Sequence, residues 1–258
     1  MNRRVVDIVC DLLFAPTQSS KENLQAERLA GRIFVTGNTV IDALQLCVKR
    51  IADDDELRAQ LDAQLPTLSP DKRILLVTGH RRENFGSGFD NICAALVGLA
   101  QRCDIEIVYP VHLNPNVRGP VLSALSDLPN VHLIDPLDYS QFVRLMQRAH
   151  VILTDSGGVQ EEAPSLGKPV LVMRDVTERP EAIAAGTVKL VGTDAARIIS
   201  SVNALYDDDA LWREFAFHHN PYGDGHAAER IVAALTGRPF SAFNSLAPDS
   251  ARTRKVIG

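Results

Sequence analysis

The sequence predicts an α/β fold of the doubly wound kind, with helices covering both faces of a parallel sheet. Three features of the chain point to it. Short apolar runs rich in β-branched residues recur along it, segments with apolar residues at helical spacing lie between most of them, and glycines or charged residues crowd the positions just after the runs. In chain order the runs are "RIFVT" (32–36), "ILLVT" (74–78), "IEIVYP" (105–110), "VHLID" (131–135), "VILTD" (151–155), "PVLVM" (169–173) and "VKLVG" (188–192). The intervening "FDNICAALVGLAQRC" (89–103) and "YSQFVRLMQRAHV" (139–151) read as crossover helices, and no internal repeat breaks the alternation. From Thr236 the tail "TGRPFSAFNSLAPDSARTRKVIG" loses periodicity and is expected to be disordered.

Composition narrows the function classes. A chain of 258 residues, 45% hydrophobic and 23% charged, has enough material to bury a core. Its formal net charge of -5 argues against a broad electrostatic footprint for nucleic acid, while leaving room for a local basic pocket. Cys10, Cys47, Cys93 and Cys103 have no CxxC spacing and sit in apolar segments, which speaks against a disulfide framework or a metal site and for a reducing cytoplasm. The opening "MNRRVVDIVCDLLFAPTQSS" imitates a secretory signal, but Asp7 and Asp11 interrupt its apolar stretch. No uninterrupted apolar run approaches the roughly 18 residues of a membrane span.

In open α/β sheets ligands bind beyond the carboxyl ends of the strands. This chain loads those positions with "GHRREN" (79–84), "VHLNPNVR" (111–118), "DSGG" (155–158) and "RDVTERPE" (174–181). In "TDSGGVQEEAPSLGKPVL", Ser156 can cap the following helix, and Gly157 and Gly158 let backbone N–H groups approach an anion, an arrangement that suits phosphate. Glu162, about a turn further on, can accept two adjacent hydroxyls such as those of a ribose. The same residues equally describe a capped helix with acids in its early turns and no ligand. His80, Arg81 and Arg82 after a buried strand suit a diphosphate or simply form an exposed basic loop; His112 and Arg179 are two further candidates. There is no GxxxxGK[ST], and "GSGFDN" (86–91) fails as a dinucleotide fingerprint, so neither nicotinamide nor ATP chemistry is expected, and no cofactor.

Together "VTGNTVIDAL", "LVTGHRREN", "YPVHLNPNVR", "LTDSGGVQEEAPSLGKPVLVMRDVTERPEA", "AGTVKLVGTD" and "NPYGDGHAAERI" resemble the non-hydrolysing bacterial UDP-N-acetylglucosamine 2-epimerases, from about Asn2 to Leu235. The resemblance implies a glycosyltransferase-B arrangement of two Rossmann-like domains with UDP-sugar between them, and a homodimer serving cell-surface polysaccharide synthesis. It implies that Ser156, Gly157 and Gly158 meet the diphosphate, Glu162 the ribose, Phe142 and Leu137 the uracil region, and His80 and Arg179 the diphosphate and sugar. His80 and Arg3 match positions implicated in catalysis, and Arg81 and His112 match positions that bind a second, regulatory UDP-sugar in some members. Epimerisation in the family is thought to proceed by elimination of UDP to a glycal and its re-addition, which couples a positioned base to a stabilised leaving diphosphate.

The chain departs from the family at its amino end, where members carry most of a first domain and its proton-handling carboxylates. The expected organisation is therefore a remnant of that domain over 1–31, a UDP-binding domain over 32–235 and the tail over 236–258. "VVDIVCDLLFAPT" is expected to be the last strand of the first domain, without sheet partners, and the chain alone is expected to be inactive. Two alternatives remain: a UDP-sugar-binding module without its own activity, completed by a separate first-domain polypeptide, or a glycosyltransferase domain.

Overall fold

Residues 2–244 are described by the computed structural model, so the last part of the expected tail, 245–258, lies outside the described residues. In chain order the elements are α1 (Asn2–Val9), β1 (Leu12–Ala15), α2 (Gln18–Ala26), β2 (Arg32–Val35), α3 (Thr39–Asp53), α4 (Asp55–Ala63), β3 (Arg73–Thr78), α5 (Ser87–Leu99), β4 (Ile105–Pro110), α6 (Pro115–Leu125) and β5 (Val131–Ile134). They continue with α7 (Tyr139–Arg148), β6 (Ala149–Thr154), α8 (Gly157–Glu162), β7 (Val170–Val172), α9 (Pro180–Ala184), β8 (Val188–Leu190), α10 (Ala195–Asp207), α11 (Asp209–Ala216) and α12 (Ala227–Leu235). The chain divides into two compact units, one formed by Met1–Leu46 with the chain from His219 onward, the other by Cys47–His218.

In the second unit six strands form one parallel sheet in the order β5-β4-β3-β6-β7-β8. The first three run outward one way and the last three the other, so the order reverses between β3 and β6. That reversal is the topological switch point, where the crossovers diverge and leave a crevice beyond the strand ends. The strands are continuous apolar runs because both faces are covered. Leu75 and Val77 of β3, Ile105 and Ile107 of β4, and Val151 and Leu153 of β6 pack with Phe89, Ile92 and Leu96 of α5 and with Ile198 and Val202 of α10. Full burial of each such side chain stabilises the unit by roughly 1.5–3 kcal/mol. The helix expected over 139–151 ends at Arg148, because Ala149 turns extended (φ -61°, ψ 143°) and begins β6.

The first unit corrects three expectations. Residues 2–9 are helical, and the strand is confined to "LLFA", which is not without a partner: β1 pairs in parallel with β2, from Leu12 opposite Arg32 to Ala15 opposite Val35. Since β2 pairs there and not with the six-stranded sheet, the boundary at 31/32 does not hold. The chain returns to this unit near its end through the Asn38 N–H, which donates to the Tyr222 carbonyl, and the Arg230 guanidinium, which donates to the Thr36 carbonyl. Residues 236–244 are not disordered either: the Phe243 N–H donates to the Val35 carbonyl at 2.9 Å, and the Phe240 ring lies 5.7 Å from that of Phe34. Their apolar side chains supply the anchoring that a count of periodicity overlooks.

Candidate functional site

The switch point brings most of the candidates together. β3 and β6 end side by side in Thr78 and Thr154, whose hydroxyls meet at 2.6 Å. The loop after β3 begins with Gly79 and His80, and the turn after β6 begins with Asp155 and Ser156.

Asp155, which the sequence reading did not single out, is fully buried and pins one loop to the other. Its Oδ2 accepts from the backbone N–H of His80 (2.9 Å), the backbone N–H of Arg81 (2.8 Å) and the Asn84 side-chain amide (3.3 Å). The His80 ring lies over that of His112, with centroids 5.5 Å apart and an interplanar angle of 18°. His80, His112, Leu137, Phe142 and Ser156 line one cavity of about 220 Å³, closed further by Val159. Its apolar wall and polar rim have the mixed lining of a small-ligand site.

Gly157 opens α8, and the space beside it is framed by two cations. A methyl carbon placed on Gly157 would lie 3.6 Å from Nη2 of Arg81 and 3.6 Å from Nη2 of Arg179. The Arg179 Nε is held by the Glu161 carboxylate, which leaves its Nη2 directed at that space. Arg81 Nε is buried without a hydrogen-bond partner among the described residues. Two guanidinium groups converging on the start of a helix beside a side-chain-free residue form a seat for an anion. Ser156 stands at the N-cap position but makes no side-chain cap bond, contrary to expectation; its own N–H donates to the Thr154 hydroxyl at 2.9 Å, and its side chain is left to the cavity.

Glu162 ends α8 almost fully enclosed, and its Oε2 accepts from the Tyr139 hydroxyl at 2.8 Å. Burial pushes its pKa up, opposed by the Tyr139 hydrogen bond and reinforced by the neighbouring charge of Glu161. Its Oε1 faces Gly158, 3.7 Å from where a methyl carbon on that residue would stand. The carboxylate therefore has one oxygen engaged and one directed past the helix start.

Arg174, also not singled out from sequence, is enclosed and bridges the loops on either side: it pairs with Glu83 within "GHRREN" and with Glu178 beside Arg179. The signals for Asp155, Tyr139 and Arg174 were positional, since Asp155 and Arg174 come just after the "VILT" and "PVLVM" runs and Tyr139 follows "DPLD". Arg3 belongs to the first unit, on α1, where its guanidinium is taken by Asp7 and Glu27. Among the described residues no group of three or more His, Cys, Asp or Glu could hold a metal ion, and no helix is long and apolar enough to cross a membrane.

Comparisons with known proteins give this geometry a setting. The family described as UDP-N-acetylglucosamine 2-epimerase matches residues 1–236. The UDP-N-acetylglucosamine 2-epimerase of Escherichia coli strain K12 is 55% identical over 242 residues, which make up 93% of this chain and 64% of that protein. The crystal structure of UDP-GlcNAc 2-epimerase from Neisseria meningitidis bound to UDP-GlcNAc is 46% identical and superposes with a TM-score of 0.86, covering 92% of this chain and 64% of that one. The Methanocaldococcus jannaschii UDP-GlcNAc 2-epimerase, in complex with UDP-GlcNAc and UDP, is 32% identical with a TM-score of 0.75, again covering 92% and 64%. The chain thus spans somewhat less than two thirds of the length of these relatives. On this match, the chain belongs to the UDP-N-acetylglucosamine 2-epimerase family.

Proposed function

We propose that this chain carries the nucleotide-holding half of a UDP-N-acetylglucosamine 2-epimerase site. The observation that carries the reading is the convergence of Arg81 and Arg179 on Gly157 at the switch point, with the Glu162 carboxylate beside it. In this reading the diphosphate of UDP sits against Ser156, Gly157 and Gly158 beneath the two guanidinium groups, where paired cations and helix N–H groups stabilise the charge that develops as UDP leaves. Glu162 accepts the ribose hydroxyls, Leu137 and Phe142 pack on the uracil, and His80 faces the diphosphate and sugar. Arg3 joins the catalytic groups, and Arg81, besides its place at the diphosphate, joins His112 in serving a second, regulatory UDP-sugar.

The reaction is the interconversion of UDP-N-acetylglucosamine and UDP-N-acetylmannosamine by elimination and re-addition of UDP, in the cytoplasm, for cell-surface polysaccharide precursors, and the active form is a homodimer. The base that handles the C2 proton belongs to the portion of the relatives that these 258 residues do not match. A second reading is a UDP-sugar-binding module without its own activity, completed by a separate polypeptide. Family membership weighs against a glycosyltransferase.

The test is to incubate the chain with UDP-N-acetylglucosamine in D₂O and to follow the C2 proton by NMR, alongside a chain extended by the relatives' additional region. The extended chain is expected to exchange the proton and form the mannosamine product. The 258-residue chain is expected to be slower by at least about 10²-fold, the lower end of what losing a positioned acid or base costs. Equal rates would refute the division of the site, and an inert extended chain would refute the activity.

A further inference from the structure

We infer that Asp155 is the positioning residue for His80: its second carboxylate oxygen fixes the imidazole with the proton on Nδ1 and presents Nε2 to the ligand cavity. The inference deepens the reading of His80 as a group that faces the nucleotide-sugar and rests on it only for what Nε2 meets.

Three observations carry it. Asp155 is fully buried, and its two oxygens are used unequally: Oδ2 holds three N–H donors, whereas Oδ1 has no hydrogen-bond partner among the described residues. A buried carboxylate oxygen with no donor is costly to leave, so the structure around it should supply one. Among the described residues, the basic side-chain nitrogen near Oδ1 is Nδ1 of His80, at 3.6 Å. The neighbouring hydroxyl of Tyr109 does not compete, because it donates to the Gly79 carbonyl at 3.1 Å.

The third observation is the state of the stacked partner. His112 Nδ1 accepts from the Asn114 backbone N–H at 3.1 Å, so neutral His112 carries its proton on Nε2. The two parallel rings are therefore set in opposite tautomers by different second partners, a backbone N–H for one and a buried carboxylate for the other. With the backbone N–H of His80 and that of Arg81 both tied to Oδ2, the loop cannot carry the ring away from Oδ1 without breaking those bonds. The 3.6 Å separation needs to shorten to about 3 Å for the hydrogen bond to form. Nε2 is then a lone-pair acceptor toward the cavity when the ring is neutral.

The Asp155→Asn exchange separates this from mere loop anchoring. The asparagine carbonyl oxygen keeps the place of Oδ2 and its three donors, while the amide group turns an N–H toward His80 Nδ1. That nitrogen must then accept, and the ring proton moves to Nε2. The measurement is a long-range ¹H–¹⁵N correlation of the labelled 258-residue chain above the imidazole titration, with the His80 signals assigned by their loss in His80→Gln. The expected result is an Nδ1–H majority for His80 in the parent and a switch to an Nε2–H majority in Asp155→Asn. An Nε2–H majority in the parent overturns the inference whether or not the variant folds, and so does an unchanged tautomer in a folded Asp155→Asn. Adding UDP to the parent tests the nucleotide reading separately: His80 ring signals that do not move would count against that reading and leave the tautomer result standing.

Discussion

The Tyr139 hydroxyl, at the first turn of α7, donates to Glu162 Oε2 at the end of α8 across 2.8 Å. A carboxylate so placed cannot wander, and its remaining oxygen is set at a fixed offset from the helix start that holds Gly157 and Gly158. Replacing Glu162 by alanine is expected to weaken UDP binding by about 1.5–3 kcal/mol, the range for hydrogen bonds to a charged group. Tyr139→Phe should weaken it by less, since the carboxylate survives but loses its anchor. Calorimetry on the two variants checks the order.

The same carboxylate makes binding depend on pH. Burial raises the pKa of Glu162 above its ordinary 4.5, so protonation begins at a higher pH than for a free glutamate. A protonated carboxyl is a poorer acceptor for ribose hydroxyls, so UDP affinity should fall as pH falls through that raised pKa, and Glu162→Ala should flatten the acid limb. For the empty chain the sign is opposite. The fold holds this proton more tightly than the unfolded chain does, so Glu162 favours folding below the unfolded value and that contribution is lost as pH rises through the folded one. Denaturant titrations of parent and variant across the acid range check this second sign.

Gly157 offers a separation of binding from folding. A methyl group there makes ordinary van der Waals contact, 3.6 Å from the two guanidinium groups, and no positive φ is recorded at this position. Gly157→Ala is therefore expected to leave stability within about 1 kcal/mol of the parent, since alanine is the better helix former. It should lower UDP affinity by at least roughly tenfold, because the methyl occupies the space where an anion would meet both arginines and displacing one charge-assisted hydrogen bond already costs about 1.5–3 kcal/mol. Thermal melts and calorimetry on one preparation measure both quantities.

Arg174 links the loop that carries His80 and Arg81 to the one that carries Arg179. Arg174→Met should release both. The enclosed guanidinium argues for a large effect and the half-exposed Glu83 and Glu178 for a smaller one, so a destabilisation of about 1–3 kcal/mol is expected. UDP affinity should fall as well, although Arg174 lies outside the group around Gly157, and hydrogen exchange of residues 80–84 and 175–179 should rise together.

The stacking of His80 on His112 bears on the regulatory role proposed for His112. In the extended chain His112→Ala is expected to reduce substrate cooperativity while retaining most of the maximal rate. Some change in His80-dependent turnover should accompany it, since the rings share a cavity wall. Unchanged cooperativity, in a parent that is cooperative, contradicts the role.

The six-stranded sheet was legible because parallel strands covered on both faces must be apolar throughout. "ILLVT" and "VILTD" announce β3 and β6 with little contribution from the rest of the fold. The gathering of glycines and arginines at the candidate site was legible because the ends of those strands are where a doubly wound sheet opens. What stayed hidden depended on partners distant in sequence. Asp155 matters through backbone N–H groups some 74 and 75 residues away, and Tyr139 through a carboxylate 23 residues on. Local composition misled at the amino end, where Val5, Val6, Ile8 and Val9 favour a strand by propensity yet lie exposed on a helix. It misled again beyond Thr236, where Phe240 and Phe243 pack without any periodic pattern.

The central claim is that the convergence of Arg81 and Arg179 on Gly157 holds a nucleoside diphosphate. Titration calorimetry of the 258-residue chain with UDP and with UMP, at matched pH and ionic strength, tests it most directly. The second phosphate should add about 1.5–3 kcal/mol, so UDP is expected to bind roughly ten- to a hundredfold more tightly than UMP, with the difference shrinking when Arg179 is replaced by alanine. Equal affinities for the two nucleotides, or a difference indifferent to Arg179, would contradict it.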